Sequence, residues 1–350
     1  FRSIQFGEIS TTDTFKYWYV DGMAEIKKGI PIFTGMRAYG FGGGAYYHMQ
    51  RGSIIPEDVT TQDPATFADI GQSPSGVTYT PSKDVGVGIK AAFIFGLDER
   101  KTFNADTRLE IELNANGGFN RFMFDGDVKA LAKDEKSKDA MIKGLINVEY
   151  DHANEVFHAN VHGDIKISDG ITAEIPLQLH FDPAIWYVWA GRPTPDSARC
   201  TLSIANFANF TSYFQCGNFI DPMPDVPLFI QRILEQANVP SDFLVSERNE
   251  IIGSQEGMIF GGNMQFSYSG SFLIFRGSLN GGVGFDLAIR KYETDCNGQL
   301  SGDLIGVDGW YANGQLYAGI EALISLHIDL GFYTSNVKIF DAGAAAVLQG

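Results

Sequence analysis

The stretch HANVH sets His158 and His162 four residues apart, the spacing at which two imidazoles on a helix share one zinc ion. The helical motif also supplies a glutamate as general base, and none stands between these two residues. Apolar and polar residues alternate around them, which makes the segment a strand, where residues four apart lie about 13 Å from each other. Zinc ligands sit about 2 Å from their ion. The two histidines therefore cannot share a metal, and both are expected on a solvent face. A second candidate is rich in oxygen. ETDCNGQLSGDL carries Asp295, Asn297, Ser301 and Asp303 in a glycine-bearing loop. Asp295, Asn297 and Asp303 are hard ligands of the kind calcium takes, although their spacing is not that of the twelve-residue calcium loop. No other cofactor is indicated.

Three further patterns bear on chemistry. Trp186, Tyr187 and Trp189, with Trp310 and Tyr311, can stack on a sugar ring or an apolar ligand, and aromatics equally anchor β-cores. Gly40-x-Gly42-x-x-Ala45 has the form of a dinucleotide fingerprint, but that motif opens a helix, and Gly52 and Pro56 follow too soon for one. A tight glycine-rich turn is the expectation there. The sequence has no Gly-Lys dipeptide and no Gly-x-Ser-x-Gly elbow, which excludes a standard phosphate loop and the usual hydrolase nucleophile turn. Asp and Glu are scattered, and no carboxylate pair for glycosidic chemistry can be nominated.

Cys200 and Cys216 flank TLSIANFANFTSYFQ, whose centre near Ala208 reads as a hairpin tip. Residues equidistant from a tip face each other, so a cross-strand disulfide is expected, contributing on the order of 3 kcal/mol and implying an oxidising compartment. Two thiols in a core are the alternative. Cys296 is left over.

Strands must position all of these residues. In GQLYAGIEALISLHIDLGF, Leu316, Ala318, Ile320, Ala322, Ile324, Leu326 and Ile328 take the even positions. Tyr317, Glu321, Ser325, His327 and Asp329 take odd ones. The period is two, so this is a long strand with an apolar and a wet face, not a membrane helix. The same alternation runs from Phe103 to Leu113, turns at NANGG and returns through Phe122 to Ala130. Phe157 to Ile167, the turn SDG and Ile171 to Phe181 form a second hairpin. Val87 to Phe95 and Phe275 to Ile289 add strands. DEKSKD, from Asp134 to Asp139, is a solvated connection. In DPMPDVPLFIQRILEQANVP, Asp225 can cap a helix, Pro227 suits its first turn, Phe229, Ile233 and Leu234 share a face, and Asn238 and Pro240 stop it.

Forty glycines and 19% charged residues favour turns and sheet. The net charge of −16 leaves no basic patch for a nucleic acid. No run of about 18 apolar residues exists for a transmembrane helix.

FNADTRLEIELNANGGFNRFMFDGD, HFDPAIWYVWAGRPTPD, SYFQCGNFIDPMPDVP and IGVDGWYANGQLYAGI, spread over Phe103–Ile320, resemble segments of large, uncharacterised secreted or cell-surface proteins of Bacteroidetes-type bacteria. The resemblance implies an exported, β-rich part of a longer polypeptide. It carries over no functional residue, because none of the four segments is a catalytic motif.

The expectation is an all-β fold of long antiparallel hairpins, forming a large sandwich, groove or barrel, with one covering helix near 225–238. Its regions are 1–220 (a β meander), 221–255 (a helix-containing connection) and 256–350 (β-rich, packed with the first). The leading function is a non-catalytic structural or interaction module of an exported, acidic cell-surface or secreted assembly. Its partners would be other protein subunits or the rest of a longer chain. A lipid-carrying groove or barrel is the second reading, a segment of a transmembrane β-barrel the third. Lipid or glycan is a candidate ligand, and an enzyme the less favoured class.

Overall fold

The computed structural model describes residues 3–10, 14–55, 79–132, 140–168, 170–205, 207–239, 256–272, 275–291, 307–329 and 334–350. The polar connection at Asp134–Asp139 and the calcium candidates Asp295, Asn297 and Asp303 lie outside the described residues, as does Cys296. The fold is all-β, with one α-helix among the described residues, and its strands are antiparallel and mostly long. Two units divide the chain: Phe1–Ile167 with Ile175–Trp186, and Ser168–Glu174 with Tyr187–Gly350.

The first unit is a meander in which strand order follows sequence order. Its strands are β1 (Ser3–Ser10), β2 (Thr14–Phe33), β3 (Met36–Tyr47), β6 (Val85–Leu97), β7 (Phe103–Asn114), β8 (Phe119–Ala132), β9 (Ala140–Asp151), β10 (Val156–Ser168) and most of β11 (Ile171–Phe181). A separate two-stranded piece, β4 (Met49–Arg51) with β5 (Tyr79–Pro81), interrupts the path between β3 and β6. Asn114 closes the β7–β8 turn with its side chain, taking the backbone N–H of Asn116 and of Gly118, both at 3.0 Å. The glycines of YGFGGGAYY (Tyr39–Tyr47) do not make a turn. Gly40, Gly42, Gly43 and Gly44 lie within β3, paired to β2 and β6, because alternation with Phe41, Ala45 and Tyr47 continues the sheet.

The second unit repeats the design with β12 (Trp186–Ala190), β13 (Cys200–Ile204), β14 (Ala208–Gly217), β15 (Gly257–Phe272), β16 (Phe275–Lys291), β17 (Trp310–Asp329) and β18 (Thr334–Gln349). β17 pairs β16 from Trp310 to Leu326 without a shift, and its register to β18 shifts between Ile324 and Ser325. Such a bulge bends and twists a long strand.

Helix α1 (Leu228–Gln236) lies on the polar face of this sheet. Pro227 is its N-cap and no side chain caps it, so Asp225 does not serve that role. Proline presets the backbone angle and needs no donor there. Asn238, with a φ of 55°, ends the helix in the left-handed region. Ile230 and Ile233 are buried, with Phe229 and Leu234 packed beside them against Tyr317, Ala345 and Val347. Gly319 and Gly343 admit the helix, since a Cβ at either would stand 3.1 Å from Phe229 or 3.0 Å from Ile233.

Burial reverses the usual assignment of the two strand faces. On β17, Leu316 is 56% and Ile320 47% exposed, while the alternate Gln315 and Tyr317 are 5% and 4% exposed. The side expected to be wet is the one protein covers. The same inversion corrects His158, which is fully buried rather than solvent-facing.

Gly88 on β6 sits directly beneath the Tyr46 ring, and a Cβ there would fall inside it. Gly88→Ala is expected to destabilise the first unit by about 1–3 kcal/mol through overpacking, read as a lower urea midpoint with an unchanged slope.

Candidate functional site: an apolar face and a charged face

Register explains how each sheet sorts its side chains. In the first unit Val20, Ala45, Ile89, Ile111, Phe122, Tyr150 and Phe157 stand in one cross-strand row. One residue along each strand, the row reads Asp21, Gly44, Lys90, Glu110, Met123, Glu149 and His158. Opposed side chains in such rows lie about 5 Å apart, so each row behaves as one continuous surface. In the second unit Phe210, Met264, Val283, Ala318 and Ala346 align on one face. Tyr213, Gly261, Asp286, Gln315 and Gln349 align on the other.

The apolar faces carry large side chains in the open. Trp18, Phe41, Ile89 and Phe93 in the first unit, and Phe214, Val283, Phe285, Leu316 and Ile320 in the second, are all exposed. Aromatics gather at one end of the first unit's strands, on the side of the β7–β8 and β9–β10 turns. Trp18 pairs with Tyr47 there, Phe119 stacks on Tyr150 at 6.3 Å, and Phe181 lies against Phe157 at 6.2 Å and Trp186 at 6.4 Å.

The polar face of the first unit holds a buried ion network. Arg51, on β4, places Nη2 2.7 Å from Asp125 Oδ2 and Nη1 3.4 Å from Glu110 Oε2. Tyr46 and Tyr79 donate their hydroxyls to Glu110 at 2.6 and 2.8 Å. Arg121 bridges Glu149 at 3.0 Å and Glu112 at 3.7 Å. Ser53 Oγ and the Ile54 N–H, just past β4, complete Glu149 at 2.9 and 2.8 Å. The network thus fastens the inserted β4 segment to the sheet.

The second unit fastens an inserted segment in the same manner. Arg192 makes a two-pronged pair with Asp221 at 2.8 and 2.7 Å. Gln215 exchanges hydrogen bonds with Asp221, and Arg290 donates to its carbonyl at 2.7 Å. Asp286 accepts from Tyr213 at 2.7 Å and Gln315 at 2.9 Å, and Gln315 also reaches the Pro224 carbonyl. A cavity of about 310 Å³ on this face is lined by Ser203, Asn209, Phe229, Arg232, Gln265 and Asn280, among others.

The aromatic ligand candidates do not form one site. Tyr187 and Trp189 are buried and stacked at 3.9 Å, with Trp189 Nε1 donating to the Phe219 carbonyl and Arg192 4.8 Å from its ring. They are core of the second unit. Trp186 belongs to the aromatic row of the first unit, and Trp310 is exposed at the start of β17 with Tyr311 partly covered beside it.

The cysteines are not bridged. Both are free thiols, and register opposes Cys200 to Ser212 and Cys216 to Val188. Ile204 pairs with Ala208, so the tip is two residues earlier than symmetry about Ala208 suggests. That shift leaves Cys216 four residues past Cys200's partner. At strand rise this is about 13 Å along the chain, beyond disulfide reach.

Sequence reasoning missed the pair His158 and His180. Their Nδ1 atoms are 3.1 Å apart, and His180 Nε2 lies 2.8 Å from Asp182 Oδ2. Asp182 caps the turn after β11. Its carboxyl is held below the usual range: partial burial opposes ionisation, but the His180 bond and the Ile185 and Ala184 N–H groups outweigh it. The signal available was cross-strand, from the partner hairpin, and not the i, i+4 spacing. Among the described residues no group of three or more His, Cys, Asp or Glu side chains forms a metal site. No helix among them is long and apolar enough to cross a membrane, which says nothing of strands.

Removing Arg51 as Arg51→Met leaves Glu110 and Asp125 buried without their cation. The expected loss is about 3–5 kcal/mol in urea unfolding, because an orphaned buried charge costs more than the pair contributed. The double variant Cys200→Ser, Cys216→Ser is expected to unfold at the wild-type midpoint with or without reductant. A reductant-dependent wild-type midpoint would contradict the free thiols.

No protein-family model, curated protein or solved structure matches the chain.

Proposed function

We propose that this chain is a segment of a transmembrane β-barrel wall at the surface of the cell, with its apolar face on lipid acyl chains. The polar face then lines a lumen partly filled by the inserted segments. One observation carries the reading: in both units large apolar side chains of one face, such as Ile89, Phe93, Val283, Leu316 and Ile320, are exposed, while alternate polar ones, such as Glu110, Glu149, Asp286 and Gln315, are covered. A soluble sheet does the opposite, and a contiguous apolar surface of this extent needs an apolar neighbour. Supporting it, the strands reach 16 to 20 residues in β15, β18 and β17. Tilted strands of about 9–11 residues already cross a membrane. Aromatics at one end of the strands suit a membrane interface, where amphipathic rings reside.

A lipid-carrying groove is less well supported, because such a protein turns its apolar residues toward its cavity. The cavity described above is mixed, with Ser203, Asn209, Gln265 and Asn280 beside Phe207, Phe229 and Phe266, and it is not a continuous apolar pocket. A structural module of an exported assembly remains compatible with a membrane wall, whose protein partners would meet its loops and lumen.

Liposome flotation after refolding from urea tests the proposal. The chain is expected to float with vesicles and to resist extraction by carbonate. Val283→Arg on the apolar face is expected to cost about 2–4 kcal/mol of stability in the bilayer, whereas Ser278→Arg on the polar face of the same strand costs little. Monodisperse behaviour without detergent, with Val283→Arg tolerated, would overturn the reading.

A further inference from the structure

We propose that the cavity of about 310 Å³ on the polar face of the second unit is a binding site for a neutral saccharide. The inference rests on the local geometry of one unit and not on membrane placement. A volume of this size stands at the small end of the range for small-molecule pockets. Register builds its floor. Ser203, Asn209, Gln265, Gly282 and Gly319 stand in one cross-strand row from β13 to β17. Ser267, Asn280 and Glu321 form the next row on the same face, two residues along their strands. Neighbours within a row lie about 5 Å apart and the rows about 7 Å apart, so the floor is a grid of polar side chains.

The paired glycines end the first row without side chains, and Phe229 of α1 takes the space above them. A Cβ at Gly282 would stand 3.0 Å from the Phe229 ring, and one at Gly319 3.1 Å from it. The half-buried ring is thus an apolar wall at the end of the polar floor. Arg232, three residues further along α1, reaches Glu321 of the second row at 3.3 Å. A sugar ring presents the two matching surfaces, hydroxyls around its edge and C–H bonds on its face. Amides and hydroxyls bind the first, and an aromatic ring packs on the second.

The hydrogen bonds already made on the floor select the ligand. Ser203 donates to Asn209 Oδ1 at 3.0 Å, which leaves the Ser203 oxygen as an acceptor and the Asn209 amide N–H groups as donors. Ser267 donates to Asn280 Oδ1 at 2.8 Å, and Asn280 donates in turn to Glu321 Oε2 at 3.5 Å, so the Ser267 oxygen is again an acceptor. Gln265, between them, makes no side-chain hydrogen bond among the described residues and offers both a donor and an acceptor. A ligand must therefore give and take hydrogen bonds at several neighbouring points. Hydroxyls do both. A phosphate dianion or a carboxylate only accepts, and would set its negative charge against the two serine oxygens, while the Arg232 charge is already matched by Glu321. A neutral polyhydroxylated ring fits the whole lining.

The test uses the full chain, refolded in a detergent without a sugar headgroup, and saturation-transfer NMR with maltotriose, cellotriose, xylotriose and chitotriose at millimolar concentration. At least one of these sugars is expected to receive saturation, strongest on the C–H protons of one ring, and inorganic phosphate is expected not to displace it. Affinity is expected to fall about 3–10-fold in Asn209→Ala and in Gln265→Ala, the equivalent of one neutral hydrogen bond each. Phe229→Leu is expected to weaken binding by a similar factor, and Ser278→Ala, on the same face of β16 but outside the cavity, to bind as the wild type does. Should the variants misfold, the side-chain amide signals of Asn209 and Gln265 in the wild type are expected to shift on titration with the sugar, and that of Asn104 in the first unit to stay. A folded wild type that binds none of these sugars, binding undiminished in the double Asn209→Ala, Gln265→Ala variant, amide signals that do not move, or displacement by phosphate would overturn the proposal.

Discussion

Along the middle of the long strands one pattern dominates among the described residues: charged and hydrogen-bonding side chains such as Glu110, Glu149, Asp286 and Gln315 are covered by protein, and large apolar ones such as Ile89, Val283, Leu316 and Ile320 are left exposed. A strand offers two faces with a period of two, and register makes that choice collective. Because Ile89 opposes Ile111 and Lys90 opposes Glu110, a slip by one residue would carry the charges of an entire strand to the apolar side. The antiparallel ladder therefore does more than satisfy the backbone. It commits each unit to one face of each kind.

Stability on the charged face comes from pairing of its carboxylates together with the buried cluster of Tyr19, Tyr46, Met49 and Val85. Glu110, Glu112, Asp125 and Glu149 are covered along with the guanidinium groups of Arg51 and Arg121. The remaining acceptor capacity is met by the hydroxyls of Tyr46, Tyr79 and Ser53 and by the Ile54 N–H. Buried charges are costly unless satisfied in this way. The inserted segments supply much of that satisfaction, which gives them a structural reason to occupy the polar face. In the second unit the same task falls to Asp221 and Pro224 ahead of α1, and α1 itself adds a small apolar core around Ile230 and Tyr317.

Much of the architecture was legible in the sequence because it is local. The turn chemistry of Asn114 to Gly118 placed one hairpin, and the alternation from Leu316 to Ile328 identified β17 over a helix. The helix stop at Asn238 followed from its tolerance of the left-handed region. Other features depend on partners that a single strand does not name. Period two says that the faces differ but is symmetric to their exchange, so nothing in Leu316, Ala318 and Ile320 reveals that they lack a protein cover. The Cys200–Cys216 expectation failed on a two-residue error in the hairpin tip. The glycines of β3 read as a turn because their packing partners, such as Ile94 beside Gly40 and Met23 beside Gly42, come from other strands. His158 and His180 belong to different strands, and only their shared face brings them together.

The most direct test of the inverted faces is a nitroxide scan along β17 from Gln315 to Ile324 in bilayers, with collisional relaxation by oxygen and by a water-soluble nickel chelate. Labels at Leu316, Ala318, Ile320 and Ile324 are expected to be relaxed strongly by oxygen and weakly by nickel, and labels at Gln315, Tyr317 and Glu321 are expected to show low oxygen accessibility. A period-two signal of opposite phase, or even positions shielded from both reagents, would contradict the exposure of the apolar face to lipid.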